Sequence, residues 1–161
     1  MCHIVENLLV GIVGGLASSV IVTQIYRNVD KKRDRFEYIN ELTEYAYEFY
    51  NHLFYAGTVE ISDEYIIRLA DFIVKNTLPR KKKWVRLTRV ENMICNDFAN
   101  FCKESCIKIL ACKLDIQRIE KGEDEYINEV EQSKIVISNT MHLESQYYWE
   151  KLMEIRKKYI D

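Results

Sequence analysis

The sequence predicts an all-α protein in which a single N-terminal transmembrane helix continues into a cytoplasmic bundle of long antiparallel helices. Three observations predict it. Asn7 to Tyr26 is a run of 20 uncharged residues followed at once by a basic cluster. Beyond that run, apolar residues keep a 3–4 spacing almost to the end of the chain. The 161 residues contain one proline, and only two glycines lie after residue 15, too few turn formers for a many-stranded sandwich or barrel. Apolar residues make up 48% of the chain, enough for a core, which excludes wholesale disorder.

The first element is NLLVGIVGGLASSVIVTQIY, residues 7–26. At about 1.5 Å per residue a helix of this length covers roughly 30 Å, the thickness of a bilayer's hydrocarbon core. Arg27, Lys31, Lys32, Arg33 and Arg35 follow, against Asp30 and Asp34, and Tyr26 sits where an interfacial aromatic is expected. A secretory signal peptide would carry its basic residues before the apolar run, whereas here they come after it. Residues 1–28 are therefore expected to anchor the chain in an inner or plasma membrane in a single pass. The positive-inside rule puts the N-terminus outside and the rest, 29–161, in the cytoplasm. Within the span, Gly11, Gly15, Ser19 and Thr23 recur every four residues, and Gly14 and Ser18 form a parallel pair. Small residues along one face let membrane helices approach closely, so the span predicts self-association.

The remaining helices follow from periodicity. Phe36, Ile39, Leu42, Ala46, Phe49, Tyr50, Leu53 and Phe54 share one face of a helix near 30–56, closed by Gly57. No proline or glycine separates this stretch from the span, so the two can form one continuous helix. Ser62-Asp63-Glu64 opens a shorter helix over 63–77, ended by Pro79. Leu87, Val90, Ile94, Phe98, Phe101, Ser105, Ile109, Cys112, Ile116 and Ile119 predict a third helix over 83–121. Gly122 interrupts the pattern, and a last helix over 123–160 carries Val130, Ile137, Met141, Tyr148, Leu152, Ile155 and Tyr159. A single glycine between two long helices predicts an antiparallel hairpin, hence a bundle with coiled-coil-like packing.

Catalytic and metal motifs are sparse. Cys95, Cys102, Cys106 and Cys112 lie on or beside the apolar stripe, where cysteines act as small core side chains. No CxxC occurs, and no Glu-x-x-His of the di-iron kind, although Glu48 and His52 are four residues apart. A P-loop, GxGxxG, GxSxG and HExxH are likewise missing. The sequence thus predicts no catalytic residues, no metal and no cofactor.

The strongest polar feature is Arg80-Lys81-Lys82-Lys83-Trp84-Val85-Arg86 with Arg89 beyond, six basic residues in ten around one aromatic. Such density attracts anions. The preferred counterpart is the acidic stripe Glu37, Glu41, Glu44 and Glu48, within the chain or between copies. A nucleotide or nucleic-acid phosphate is a less favoured partner. Headgroups come last. A straight first helix would rise about 45 Å from the bilayer and the short helix descend only about 23 Å, leaving the basic turn roughly 20 Å off the surface.

These readings combine into a membrane-anchored protein that self-associates and serves assembly or interaction with a protein partner. The alternative is a membrane effector whose bundle senses an anionic or nucleotide signal and whose oligomeric spans disrupt the membrane. That architecture is shared with small anchored proteins of bacterial antiviral defence.

Overall fold

The computed structural model describes residues 2–58 and 61–160, with side chains described over 18–54 and 61–160. Among the described residues every regular element is helical: α1 (Cys2–Thr58), α2 (Asp63–Lys75), α3 (Arg89–Ile119), a 3₁₀ turn (Asp124–Tyr126), α4 (Ile127–Val136), a π-helical turn (Ile137–Met141) and α5 (His142–Lys157). α1 is unbroken through residues 27–30. Its 57 residues make a rod of about 85 Å.

Two capped starts and one glycine stop set the layout. The Ser62 hydroxyl accepts from the Tyr65 amide at 3.2 Å, and Asp63 and Glu64 occupy the first turn of α2. α3 opens with a reciprocal capping box between Thr88 and Glu91. It closes at Gly122, whose φ is +92°, with Gly122 N–H donating to the Ile119 carbonyl and Glu123 N–H to the Arg118 carbonyl. This Schellman arrangement uses the left-handed region that glycine alone enters without strain, and it returns the chain antiparallel along α3. Nothing lies within 4 Å of where a Cβ would stand. The expected cost of Gly122→Ala is therefore backbone strain alone, about 1–2 kcal/mol, read as a lower denaturant midpoint with unchanged slope.

The core joins all the elements. Ile39, Leu42, Tyr45, Ala46, Phe49 and Leu53 of α1 meet Ile66 and Leu69 of α2, Phe98, Cys102 and Ile109 of α3, and Met141, Leu152 and Ile155. Aromatic rings bridge the layers, with Tyr45 against Phe72 at 6.4 Å and Phe98 at 6.3 Å, and Phe49 edge-on to Phe101 at 6.0 Å. The π-turn adds one residue to the last rod, which otherwise runs on from α4 into α5 along α1.

Two expectations need correction. The third helix starts at Arg89 rather than near 83, because Pro79 and the like-charged run Arg80–Lys83 disfavour helix and the capping box waits at Thr88. Leu87 accordingly packs on the core from outside the helix, and Val90, in its first turn, is exposed. Residues 76–88 form instead an extended strap without regular structure, apart from a turn at Lys83-Trp84.

No helix among the described residues is long and apolar enough to cross a membrane. The expected span, 7–26, falls largely on side chains outside the described set, and so do Gly11, Gly14 and Gly15. Its described part projects from the bundle: residues 18–33 are all exposed, Val20, Ile21, Val22 and Ile25 among them.

Candidate functional site

The charged features converge at the end of the bundle from which the N-terminal part of α1 emerges. The strap descends along α1, so that Arg80, Lys82 and Val85 share a narrow cleft with Asp34, Glu37, Tyr38 and Glu41. That cleft has room for about 10 Å³, one water at most. The basic turn and the acidic stripe therefore do meet within one chain. They meet as facing charges: among the described residues, none of the strap's Lys or Arg side chains stands within 4 Å of a carboxylate. Lys81 is held instead by Asn92, its Nζ donating to Oδ1 at 2.6 Å. Lys82 lies 5.9 Å from the centre of the Trp84 ring, and Trp84 is 64% exposed. Lys83, Arg86 and Arg89 are exposed as well.

Only half of the stripe faces the strap. Glu44 and Glu48 border a different groove of about 340 Å³, with Thr43, Tyr47, Trp149, Met153 and Arg156. Trp149 forms its wall, tilted against Tyr47 at 5.5 Å and stacked on Tyr50 at 5.3 Å. His142 stacks on the same Tyr50 at 5.7 Å. A second open groove of about 360 Å³ runs between α3 and the last rod, lined by Lys108, Ala111, Glu129, Gln132, Ser133, Val136 and Met141 beside the π-turn.

A polar lock, which periodicity does not reveal, fastens the charged end. Glu91 is only 7% exposed. Its carboxylate accepts from the Thr88 amide at 2.8 Å and from the Tyr159 hydroxyl at 2.8 Å. Burial by itself would raise the Glu91 pKa, but the hydrogen bonds from Thr88 and Tyr159 and the charge of Arg35 hold it below the ordinary value. The Tyr159 phenol is pushed up to about 12, first by burial and then by donating to Glu91. The lock ties α1, the start of α3 and the tail of α5 at one level. The pattern Thr88-x-x-Glu91 was legible as a capping box. Nothing in the sequence pairs position 91 with Tyr159 or Arg35.

Among the described residues, the cysteines belong to the core side of α3, and His52 and His142 lie against aromatic rings away from the strap. Cys95, Cys102 and Cys112 are buried, and Cys106 is partly so. Burial pushes the Cys95 thiol up to about 12 and the Cys112 thiol to about 11, and those of Cys102 and Cys106 upward too. All four are protonated at neutral pH and weak as nucleophiles. The His52 ring lies 4.0 Å from Phe72, and burial lowers its pKa against the opposing pull of Glu48. Among the described residues no three His, Cys, Asp or Glu side chains are grouped to hold a metal ion. Ser18, Ser19 and Thr23, the described members of the small-residue face, are exposed, and the Thr23 hydroxyl donates to the Ser19 carbonyl at 2.7 Å.

Comparison with protein families, with curated proteins and with solved structures finds nothing that this chain matches.

Proposed function

We propose that this chain is a single-pass membrane protein, anchored by the N-terminal part of α1, whose cytoplasmic bundle is a non-catalytic module for assembly and interaction. The observation that carries this reading is the bare apolar rod. Val20, Ile21, Val22 and Ile25 are each about half exposed or more and are not buried against any of the described residues. Moving four such side chains from water into an apolar medium is worth about 8 kcal/mol. The Thr23 hydroxyl is satisfied by its own helix, as a polar side chain in lipid must be. Tyr26 and the five cations from Arg27 to Arg35 mark where the rod leaves the hydrocarbon.

A single span has only another copy, or another membrane protein, to pack against. The four-residue recurrence of Gly11, Gly15, Ser19 and Thr23 favours another copy. Membranes carrying the chain are washed with alkaline carbonate, floated and dissolved in mild detergent, and the oligomer is sized. Wild type is expected to stay with the lipid and to migrate as an oligomer; Gly11→Leu/Gly15→Leu is expected to stay with the lipid as a monomer. Release by carbonate contradicts the anchor, and an unchanged oligomer in the variant contradicts packing through the small face.

The effector reading has one observation in its favour. α1 runs without a break from the span into the bundle core, so a ligand that shifts the bundle also moves the span as a lever. That reading expects dye entry when the chain is overproduced, whereas the assembly reading expects an intact membrane.

A further inference from the structure

Charge is strongly segregated along this molecule. The segments that meet at the lock are 27–41 of α1, 76–91 of the strap and the start of α3, and 156–160 of the tail. Together they hold fourteen Lys and Arg against five Asp and Glu, a net +9. Because the whole chain carries −2, the remainder carries −11. A protein of nearly neutral sum is thus a dipole, with its positive pole at the end where α1 emerges. The strap is what corrects the sequence-based estimate of height. That estimate counted the descent of α2 alone, but 13 further residues of extended chain continue downward. They set Lys82 and Val85 against Asp34, Glu37 and Glu41 and bring Glu91 near Arg35. The lower edge of the strap thus stands eight to nine residues past Tyr26, about 13 Å along the helix. Headgroups occupy the first 5–8 Å or so of that distance. The remaining gap is about one Debye length, within reach of Lys and Arg side chains.

We infer that this positive pole is a docking surface for anionic lipid headgroups, with the strap turn Lys82-Lys83-Trp84 and Arg86 laid on the membrane beside the span. The inference rests on the anchor reading for its height above the bilayer. Two observations favour a headgroup layer over a nucleotide. The cleft under the strap is about 10 Å³, far too small for a base or a triphosphate, and the larger grooves lie elsewhere with acidic residues at their edges. Trp84 is exposed among cations rather than enclosed by them, which suits the boundary between water and lipid.

Trp84 also supplies the test, since the only other tryptophan is Trp149. The full chain with Trp149→Phe is reconstituted into phosphatidylcholine vesicles with or without 30% phosphatidylserine, each containing brominated lipid. Docking predicts that Trp84 emission is blue-shifted and quenched only in the phosphatidylserine vesicles, and that 0.5 M NaCl reverses it. Lys82→Gln/Lys83→Gln/Arg86→Gln should shift the docked fraction toward the free form roughly 100-fold, at about fivefold per charge. Trp84→Phe/Trp149→Phe should remove the signal. Equal emission in both lipids overturns the proposal. So does an equal shift in neutral vesicles on adding inorganic phosphate or ATP, which would make the strap a small-anion site. Carbonate resistance of the same vesicles reads the anchor separately. A chain that washes off both lipids yet is quenched by phosphatidylserine alone keeps the docking surface and loses the span. A chain that resists the wash in both without quenching keeps the span and loses the docking surface.

Discussion

Phe98→Ala is expected to lower the stability of the bundle by about 4 kcal/mol, the upper range for losing a buried aromatic ring. Phe98 is fully buried and is ringed by Tyr45 at 6.3 Å, Tyr148 at 5.8 Å and Phe101 at 6.4 Å. Those neighbours are themselves rigid rings tied to three helices, so the space left behind cannot collapse. With domains of this size stable by about 5–15 kcal/mol, the variant should stand near the edge of folding at 37 °C. Urea unfolding followed by helical circular dichroism measures it. The control is Val90→Ala, eight residues earlier on the same helix. Apolar spacing alone places Val90 in the core, but the structure exposes it, so its loss should cost about 0.5 kcal/mol or less. Equal costs for the two would contradict a helix that begins at Arg89.

Glu91→Ala should cost about 3 kcal/mol. It removes the N3 half of the capping box, leaves the Tyr159 hydroxyl without its acceptor and takes away the negative charge near Arg35. Tyr159→Phe alone should cost about 1–2 kcal/mol, and the double variant less than the two together, because both act on one lock. The pH dependence follows from the depressed Glu91 pKa. A carboxyl ionised more readily in the folded state stabilises it fully above its unfolded value, near 4.5, and loses that contribution as pH falls through its lower folded value. The stability gap between wild type and Glu91→Gln should therefore be constant from pH 7 to about 5 and narrow on further acidification. A gap independent of pH down to 3 would show that the Glu91 charge does not contribute.

Much of this fold was legible because helical period and end signals are local. Ile39, Leu42, Ala46, Phe49 and Leu53 were placed on the buried face of α1 by spacing, and Ser62 and Gly122 were placed at helix ends by their chemistry. The errors came where a local rule had a competitor. Counting apolar residues backward from Ile94 carried the third helix through Leu87 to residue 83. The capping box Thr88-x-x-Glu91 and the repelling charges before it override that spacing. Tyr45, which the apolar spacing of α1 did not include, is buried because the rings of Phe72 and Phe98 close over it. The charged end is tertiary in origin. Arg35, Glu91 and Tyr159 are 56 and 68 residues apart in sequence, and only the paths of the strap and the last rod bring them together. The six cations of the strap could be counted; the height at which an extended strap would present them could not.

An apolar rod lying in lipid differs sharply from one in water in its amide hydrogen exchange, measured in proteoliposomes. Residues 7–26 and 27–33 belong to one continuous helix, and the described residues of both, 18–33, are exposed on the protein's own surface. Hydrocarbon, with the packing of copies inside it, is what is expected to set them apart. Peptides covering 7–26 are expected to stay unexchanged for hours while those covering 27–33 exchange within minutes, with the boundary at Tyr26. Equally fast exchange across both stretches would leave the rod in water and remove the anchor on which the proposed function rests.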